Sequence, residues 1–192
     1  MTSPSLMLGA RQRLPAALRF GLVTVAGVAL MTLSAKVQIP FWPVPMTLHT
    51  LAVMAFAVAF GPRQATAIFV AYLAAGASGL PVFSGSPARG VGLTYMAGPT
   101  GGYLLGYLLA TPLVGVLAAG RATLGRIGAM LAGLALVYGC GLAWLALSVP
   151  AGRLLALGLS PFILGDLVKI GIVAAAAPLV IRLAGRFAQV RS

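Results

Sequence analysis

The sequence predicts an all-α integral membrane protein with six transmembrane helices and ordered outer loops, and three observations support this. Hydrophobic residues make up 60% of the 192 residues and charged residues only 7%, whereas a soluble domain carries about 25% charged residues. The apolar residues form several runs, and a helix that spans a membrane needs about 20 such residues. Apart from Lys169, the basic residues lie between those runs or near their ends. We therefore expect one transmembrane domain over residues 1–192, with no separate soluble module.

Each predicted helix is an apolar run that ends at a breaker or a basic residue. The first run follows three arginines and lacks a convincing cleavage site, so we expect a retained helix rather than a signal peptide. Gly61-Pro62 separates the second run from the third. The six runs cover roughly residues 17–35, 47–60, 63–79, 100–119, 125–148 and 162–184.

The basic residues predict that both termini are cytoplasmic, because Lys and Arg concentrate on that side of a membrane. With six helices, the side that holds the termini carries nine arginines, and the other side carries Lys36, Arg89 and Arg153. The nine are Arg11, Arg13, Arg19, Arg63, Arg121, Arg126, Arg182, Arg186 and Arg191. The expected location is the cytoplasmic (inner) membrane of a bacterium.

Several function classes do not fit this composition. The formal net charge of +12 could indicate nucleic acid, but the basic residues are scattered and no aromatic-plus-basic patch accompanies them. A single cysteine, Cys140, excludes an internal disulfide, and one histidine makes a protein-built metal or redox site improbable. No Walker A motif is present, so we expect no ATP hydrolysis by this chain.

The outer connections are longer than the cytoplasmic ones and rich in Gly, Pro and aromatic residues. One contains Phe41 and Trp42, and the other contains Ser84, Ser86, Arg89 and Tyr95. Loops with such side chains tend to form lids or binding walls. Alternatively, Trp42 and Tyr95 anchor the protein at the membrane interface.

The pair Asp166 and Lys169 is the main candidate for a site. Asp166 is the only acidic residue of the chain, and the i, i+3 spacing places both residues on one face of the sixth helix. Ionisable residues inside a membrane helix are costly and usually mark a functional cavity. The alternatives are that the pair only joins helices, or that Lys169 extends to the interface.

A carboxylate and an ammonium in an apolar pocket suit a small amphipathic ligand. The carboxylate accepts two N–H donors and the ammonium binds an anion, while Thr47, Ser84, Ser86 and Tyr95 offer hydroxyl groups. A lipid-modifying enzyme would need a nucleophile and a base, and Asp166 and His49 lie 117 positions apart on different helices. A structural scaffold is the remaining alternative.

Three blocks of the sequence resemble the BioY family, the biotin-specific substrate-capture (S) components of energy-coupling factor (ECF) transporters. The blocks are QIPFWPVPMTLHTLAV, GLPVFSGSPARGVGLTYMAGPTGGYLLGYLLA and PFILGDLVK, and the resemblance covers roughly residues 14–185. It implies six helices and biotin capture on the outer side, beneath the loops between helices one and two and between helices three and four. Biotin is then the substrate, and no cofactor is expected.

The resemblance also implies partners and roles for individual residues. Transport requires a transmembrane coupling (T) subunit and cytoplasmic ATPases, although solitary members occur. A homo-oligomer is an open alternative for the assembly. Another vitamin, such as thiamine, is an open alternative for the ligand. The GD-x-x-K block places Asp166 and Lys169 on biotin, with Asp166 on the ureido N–H groups and Lys169 on the carboxylate as the natural hypothesis. His49 stands where family members usually carry glutamine, and Arg89 either assists the ligand carboxylate or meets solvent. Docking on the T subunit is expected along the face Ala17, Gly21, Val25 and Ala29.

Overall fold

The chain folds into a bundle of long apolar helices. The computed structural model describes residues 15–39, 46–88 and 90–188, with side chains up to residue 185. In these residues the elements are α1 (Ala16–Lys36), β1 (Gln38–Ile39), β2 (Met46–Thr47), α2 (His49–Ala77), α3 (Gly92–Met96), α4 (Gly101–Ala118), α5 (Thr123–Leu145), α6 (Ala151–Gly158) and α7 (Ser160–Ala188). The all-α membrane fold is therefore confirmed.

Five helical stretches in this part of the chain are long and apolar enough to cross a membrane. They are α1, α2, α4, α5 and the stretch Ala151–Gly185, which joins α6 to α7. The sequence predicts two helices at 47–60 and 63–79, whereas the structure has the single element α2 over both ranges. The count is six if each arm of α2 crosses the membrane separately. The number of crossings and the side of the termini stay predictions.

α2 turns back on itself at Gly61. Its 29 residues would span more than 40 Å as a straight helix, yet the rings of His49 and Tyr72, 23 residues apart, have centroids 5.4 Å from each other. Gly61 adopts φ 73° and ψ −179°, a conformation that favours glycine, and Pro62 begins the second arm. The breaker predicted at Gly61-Pro62 is thus confirmed as the turn between two antiparallel arms.

Small residues let the central helices approach closely. A Cβ added to Gly106 would lie 2.7 Å from Val137 Cα, and one added to Gly115 would lie 2.6 Å from Pro62 N. Gly102 and Gly106 thus allow the close approach of α4 to α5. Gly21 differs, because nothing lies within 4 Å of its added Cβ.

Four short elements in the described residues were not predicted. β1 and β2 pair antiparallel, with Gln38 opposite Thr47 and Ile39 opposite Met46. α3 lies within the connection between α2 and α4, and α6 precedes α7, which begins at Ser160 rather than near residue 162. Of these elements, β2 and α6 contact α7, the helix that carries the charged pair.

Candidate functional site

Asp166 and Lys169 form a buried ion pair on α7. Lys169 Nζ donates to Asp166 Oδ1 at 2.8 Å, and the two residues are only 4% and 6% exposed. The i, i+3 spacing within one helix brings these side chains together, as predicted. The pair is thus neutralised within the bundle, and Lys169 does not extend to an interface.

Tyr138 on α5 completes the bonding of the carboxylate. Its hydroxyl donates to Asp166 Oδ2 at 2.7 Å, so both oxygens of the only carboxylate side chain in the sequence have a donor. Because one donor comes from α7 and the other from α5, the carboxylate is fixed by two helices. A group held in this way presents a defined acceptor edge.

Gly165, next to Asp166, lets the β hairpin pack against α7. A Cβ on Gly165 would collide with the Met46 side chain of β2. Gly171 differs, since nothing lies within 4 Å of its added Cβ and the residue is exposed. Only the glycine on the inner face of α7 makes such a contact.

The ion pair lines a cavity of about 420 Å³, within the usual size of a small-molecule site. Its walls are mainly aromatic and aliphatic, and its polar groups are hydroxyls, one imidazole and the ion pair. The lining residues are Thr47, His49, Thr50, Tyr72, Phe83, Ser84, Tyr95, Pro99, Thr100, Tyr103, Leu104, Tyr107, Val137, Tyr138, Leu145, Val149, Leu157, Phe162, Asp166 and Lys169.

His49 contributes a polar atom that the protein leaves without a partner. The residue is 8% exposed and lines the cavity, and its Nε2 is buried with no hydrogen bond. The ring contacts Phe69, Tyr72 and Tyr107 at centroid distances of 5.0–6.0 Å. Because a buried polar atom without a partner is costly, Nε2 is suited to a hydrogen bond with a ligand.

Three of the cavity tyrosines are oriented by hydrogen bonds to the protein. Tyr107 OH and Thr50 Oγ1 are 2.6 Å apart, Tyr103 OH donates to the Gly158 carbonyl at 2.8 Å, and Tyr72 OH donates to the Val82 carbonyl at 3.2 Å. Each bond joins different parts of the chain. The cavity walls are therefore pre-formed rather than assembled from free side chains.

The connection between α2 and α4 covers one side of the cavity. Phe83 stacks on Tyr95, with ring centroids 4.7 Å apart and planes 15° from parallel. Lys36 Nζ at the end of α1 donates to the Ser86 carbonyl at 2.6 Å and to Ser86 Oγ at 3.0 Å. This connection is thus an ordered wall, as the sequence predicted, and α1 holds it in place.

Six of the ten predicted site residues lie around this one cavity. They are Thr47, His49, Ser84, Tyr95, Asp166 and Lys169. Ser86 is not among the lining residues: its hydroxyl donates to the Phe83 carbonyl at 2.7 Å, which directs it into the loop. Phe41, Trp42 and Arg89 lie outside the described residues, so their roles stay predictions.

Four tyrosines of the cavity were missed by the sequence reasoning: Tyr72, Tyr103, Tyr107 and Tyr138. The i, i+4 spacing of Tyr103 and Tyr107 on one face of α4 was a usable signal. The separation of His49 and Asp166 along the chain was a poor argument, because α2 and α7 bring both residues to the same cavity. Among the described residues no group of three or more His, Cys, Asp or Glu could hold a metal ion.

Comparison with known proteins relates the chain to the BioY family. The family described as "BioY family" matches residues 10–186 of the chain. The "Probable biotin transporter BioY" of Pyrococcus horikoshii is 35% identical over 142 residues, which are 74% of this chain and 83% of that protein. The "Biotin transporter BioY" of Thermotoga maritima is 33% identical over 148 residues, 76% of this chain and 86% of that protein.

A solved structure shares the fold. It is the crystal structure of the S-component for biotin from an ECF-type ABC transporter. The TM-score is 0.71 at 26% sequence identity, and the match covers 87% of this chain and 91% of the other. The bundle described above is therefore that of an S-component.

Proposed function

The chain belongs to the BioY family, and from this premise we propose that it captures biotin and serves its uptake as the substrate-binding subunit of an ECF-type ABC transporter. It is a multi-pass protein of the cytoplasmic membrane and a transporter component, not an enzyme. Two relatives at 33–35% identity are named as biotin transporters. The single observation that carries the assignment is the buried Asp166–Lys169 pair in a largely apolar cavity.

The chemistry of biotin fits this cavity. Biotin combines a ureido ring with two N–H donors and one carbonyl, an apolar thioether ring, and a valerate chain that ends in a carboxylate. The aromatic walls suit the rings, and the acceptor edge of Asp166 suits the ureido N–H donors. His49 Nε2 offers one further hydrogen bond.

Lys169 Nζ and Asp166 Oδ1 are 2.8 Å apart. This short distance limits which parts of one biotin the two residues can bind at the same time. The ureido group and the valerate carboxylate are separated by the ring system and the chain, so a biotin with an extended chain does not place its two ends on two groups in direct contact. The ureido group alone presents adjacent donor and acceptor atoms. This favours an arrangement in which both residues bind the ureido end, over the one with Lys169 on the carboxylate.

In that arrangement the valerate chain extends toward the connection between α2 and α4. Ser84 and Tyr95 line the cavity there, and Arg89 belongs to the same connection. These residues are then the candidates for the carboxylate end. Thr47, Phe41 and Trp42 of the preceding connection are proposed to close the cavity around the rings.

The alternative arrangements differ in a double-mutant cycle. Biotin and its neutral amide are titrated into the wild type and into Lys169→Met. If Lys169 binds the ureido group, the loss caused by the amide is the same in both proteins. If Lys169 binds the carboxylate, the amide binds the wild type more weakly than biotin does. In the variant, the amide and biotin then bind with nearly equal affinity.

The partners of the chain follow from the S-component assignment. We propose a transmembrane coupling subunit and cytoplasmic ATPases as partners, since the sequence has no ATP-binding motif of its own. The α1 face formed by Ala17, Gly21, Val25 and Ala29 is exposed, which suits docking through small residues. Action as a solitary transporter or a homo-oligomer is the alternative.

A ligand panel tests the proposed function. The purified chain in lipid nanodiscs is titrated with biotin, thiamine and riboflavin under identical conditions. Tight binding of biotin alone supports the proposal. Binding of another vitamin in preference to biotin contradicts it and reassigns the cavity within the S-component class.

A further inference from the structure

We propose that a second cavity, at the other end of the bundle, binds the phosphate headgroup of an anionic phospholipid. This basic groove has a volume of about 490 Å³ and lies between α1, the bend of α2 and the last turns of α7. Two arginines and a glutamine supply its polar groups, and the remaining lining is apolar. Its residues are Ala16, Arg19, Phe20, Val23, Ala59, Phe60, Arg63, Gln64, Ile181, Ala184 and Gly185.

The basic groove is separate from the biotin cavity. Ile181 and Ala184 follow Asp166 by 15 and 18 residues on the same helix, which corresponds to roughly 22–27 Å along α7. No residue lines both cavities. A ligand in the groove therefore does not compete directly with biotin.

Arg19 and Arg63 have no carboxylate side chain of this chain to neutralise them. The sequence contains one acidic residue, Asp166, whose two oxygens already accept bonds from Lys169 and Tyr138. Within the described residues, the Lys169–Asp166 pair is the only salt bridge. Two guanidinium groups that line one groove thus give it a positive charge that no side chain of the described residues offsets, and phosphate matches guanidinium geometry.

The walls of the groove are held in a fixed arrangement by Gln64. Its amide Nε2 donates to Thr24 Oγ1 at 2.9 Å and to the Phe20 carbonyl at 3.3 Å. These bonds connect the second arm of α2 to α1, and thus the element that carries Arg63 to the one that carries Arg19. Gln64 therefore fixes the two helices that carry the arginines relative to each other at the groove.

The apolar lining favours a lipid over free phosphate. Phe20, Val23, Phe60 and Ile181 line the groove beside the arginines, and they lie at the ends of membrane-spanning helices. An acyl chain gains from such walls, whereas inorganic phosphate does not. Basic pockets between transmembrane helices commonly hold anionic headgroups.

The groove also differs from the expected docking face of α1. Its α1 residues Ala16, Arg19, Phe20 and Val23 form one stripe at i, i+3, i+4 and i+7 spacing. At 100° per residue, the face of Ala17, Gly21, Val25 and Ala29 points to nearly the opposite side. A docked coupling subunit on that face therefore leaves the groove to another occupant.

Native mass spectrometry of the delipidated chain tests the proposal, with phosphatidylglycerol and phosphatidylcholine of equal chain length as probes. We expect the wild type to prefer phosphatidylglycerol on the order of tenfold. The variant Arg19→Gln/Arg63→Gln should lose the preference, and the matched control Arg121→Gln/Arg153→Gln, which alters two exposed arginines outside the groove, should keep it. Equal binding of both lipids by the wild type, an unchanged preference in the groove variant or an equal loss in the control overturns the proposal.

Two further measurements separate the alternatives. Displacement of phosphatidylglycerol by millimolar inorganic phosphate would identify a free-anion site and overturn the lipid assignment. If the variant Arg19→Gln/Arg63→Gln keeps the lipid preference but no longer co-purifies with the coupling subunit, the groove is reassigned to a protein interface. With the wild type alone, a photoactivatable phosphatidylglycerol should label peptides that contain residues 16–23 or 59–64, and labelling confined to α5 contradicts the proposal.

Discussion

Tyr138 donates a 2.7 Å hydrogen bond to Asp166 Oδ2, while Lys169 donates to Oδ1 of the same carboxylate. The bond joins α5 to α7 at the cavity, and it fixes the direction in which the carboxylate accepts further donors. The cavity proposed to bind biotin is therefore organised around one carboxylate with two protein donors.

Tyr138→Phe is predicted to weaken biotin binding about tenfold, because a hydrogen bond to a charged group contributes about 1.5–3 kcal/mol and orients Asp166. Calorimetry with biotin measures the change. Tyr103→Phe is the matched control: it removes the same atom from the same cavity, but that hydroxyl donates to the Gly158 carbonyl. Equal losses in the two variants would contradict a specific role for Tyr138.

Removing the charges singly and together is predicted to separate stability from binding. Asp166→Asn or Lys169→Met leaves a buried charge uncompensated, which costs about 3–5 kcal/mol of stability. The double variant removes both charges, so its thermal unfolding temperature should recover much of the loss while biotin affinity stays low. Thermal unfolding followed by tryptophan fluorescence, with biotin titration alongside, measures both quantities.

The opposite pattern identifies a purely structural pair. If the double variant and both single variants bind biotin as the wild type does, while only their stability differs, the pair joins helices without contacting the ligand. That result would support the scaffold alternative of the sequence analysis.

Gly76→Ala is predicted to disturb the wall formed by the connection between α2 and α4. The added Cβ would collide with the Phe83 ring, which stacks on Tyr95 at the cavity, and such overpacking costs about 1–3 kcal/mol. We expect lower thermal stability and faster biotin dissociation, measured by stopped-flow competition. Gly128→Ala, whose Cβ meets nothing within 4 Å, should change neither, and an equal effect there would contradict the account.

Gly21→Leu is predicted to impair assembly without affecting biotin binding. The position is exposed and an added Cβ meets nothing within 4 Å, so the bundle accepts the side chain, but close helix approach on that face is blocked. Co-purification with a coupling subunit and its ATPases should fall severalfold. Gly139→Leu, an exposed glycine on α5 that also has nothing within 4 Å, is the control, and equal capture of all three proteins would remove α1 as the docking face.

The helices and the charged pair were predictable because their signals are local. Apolar runs predict membrane helices, and Gly61-Pro62 predicts a turn. The i, i+3 spacing of Asp166 and Lys169 predicts that both lie on one face of a helix. Each of these depends on residues that are close together in the sequence. The structure confirms each of them in its described residues.

The rest of the site depends on how the helices pack. In an apolar run, a tyrosine such as Tyr138 has the same pattern whether it faces lipid, a neighbouring helix or a cavity, and only tertiary contacts decide. The same holds for His49, which reaches the cavity of Asp166 because α2 reverses at Gly61. α6 escaped prediction because its eight residues form too short a run to be recognised as a separate helix.

The most direct test of the central claim is the dissociation constant of biotin for the wild type and for Asp166→Asn, measured by calorimetry in nanodiscs with the exposed-site variant Arg153→Gln as control. The account predicts tight binding by the wild type and the control, and affinity at least about tenfold weaker for Asp166→Asn, since the ureido N–H groups lose a charged acceptor. Equal affinities in all three proteins, or no binding of biotin by the wild type, would contradict it.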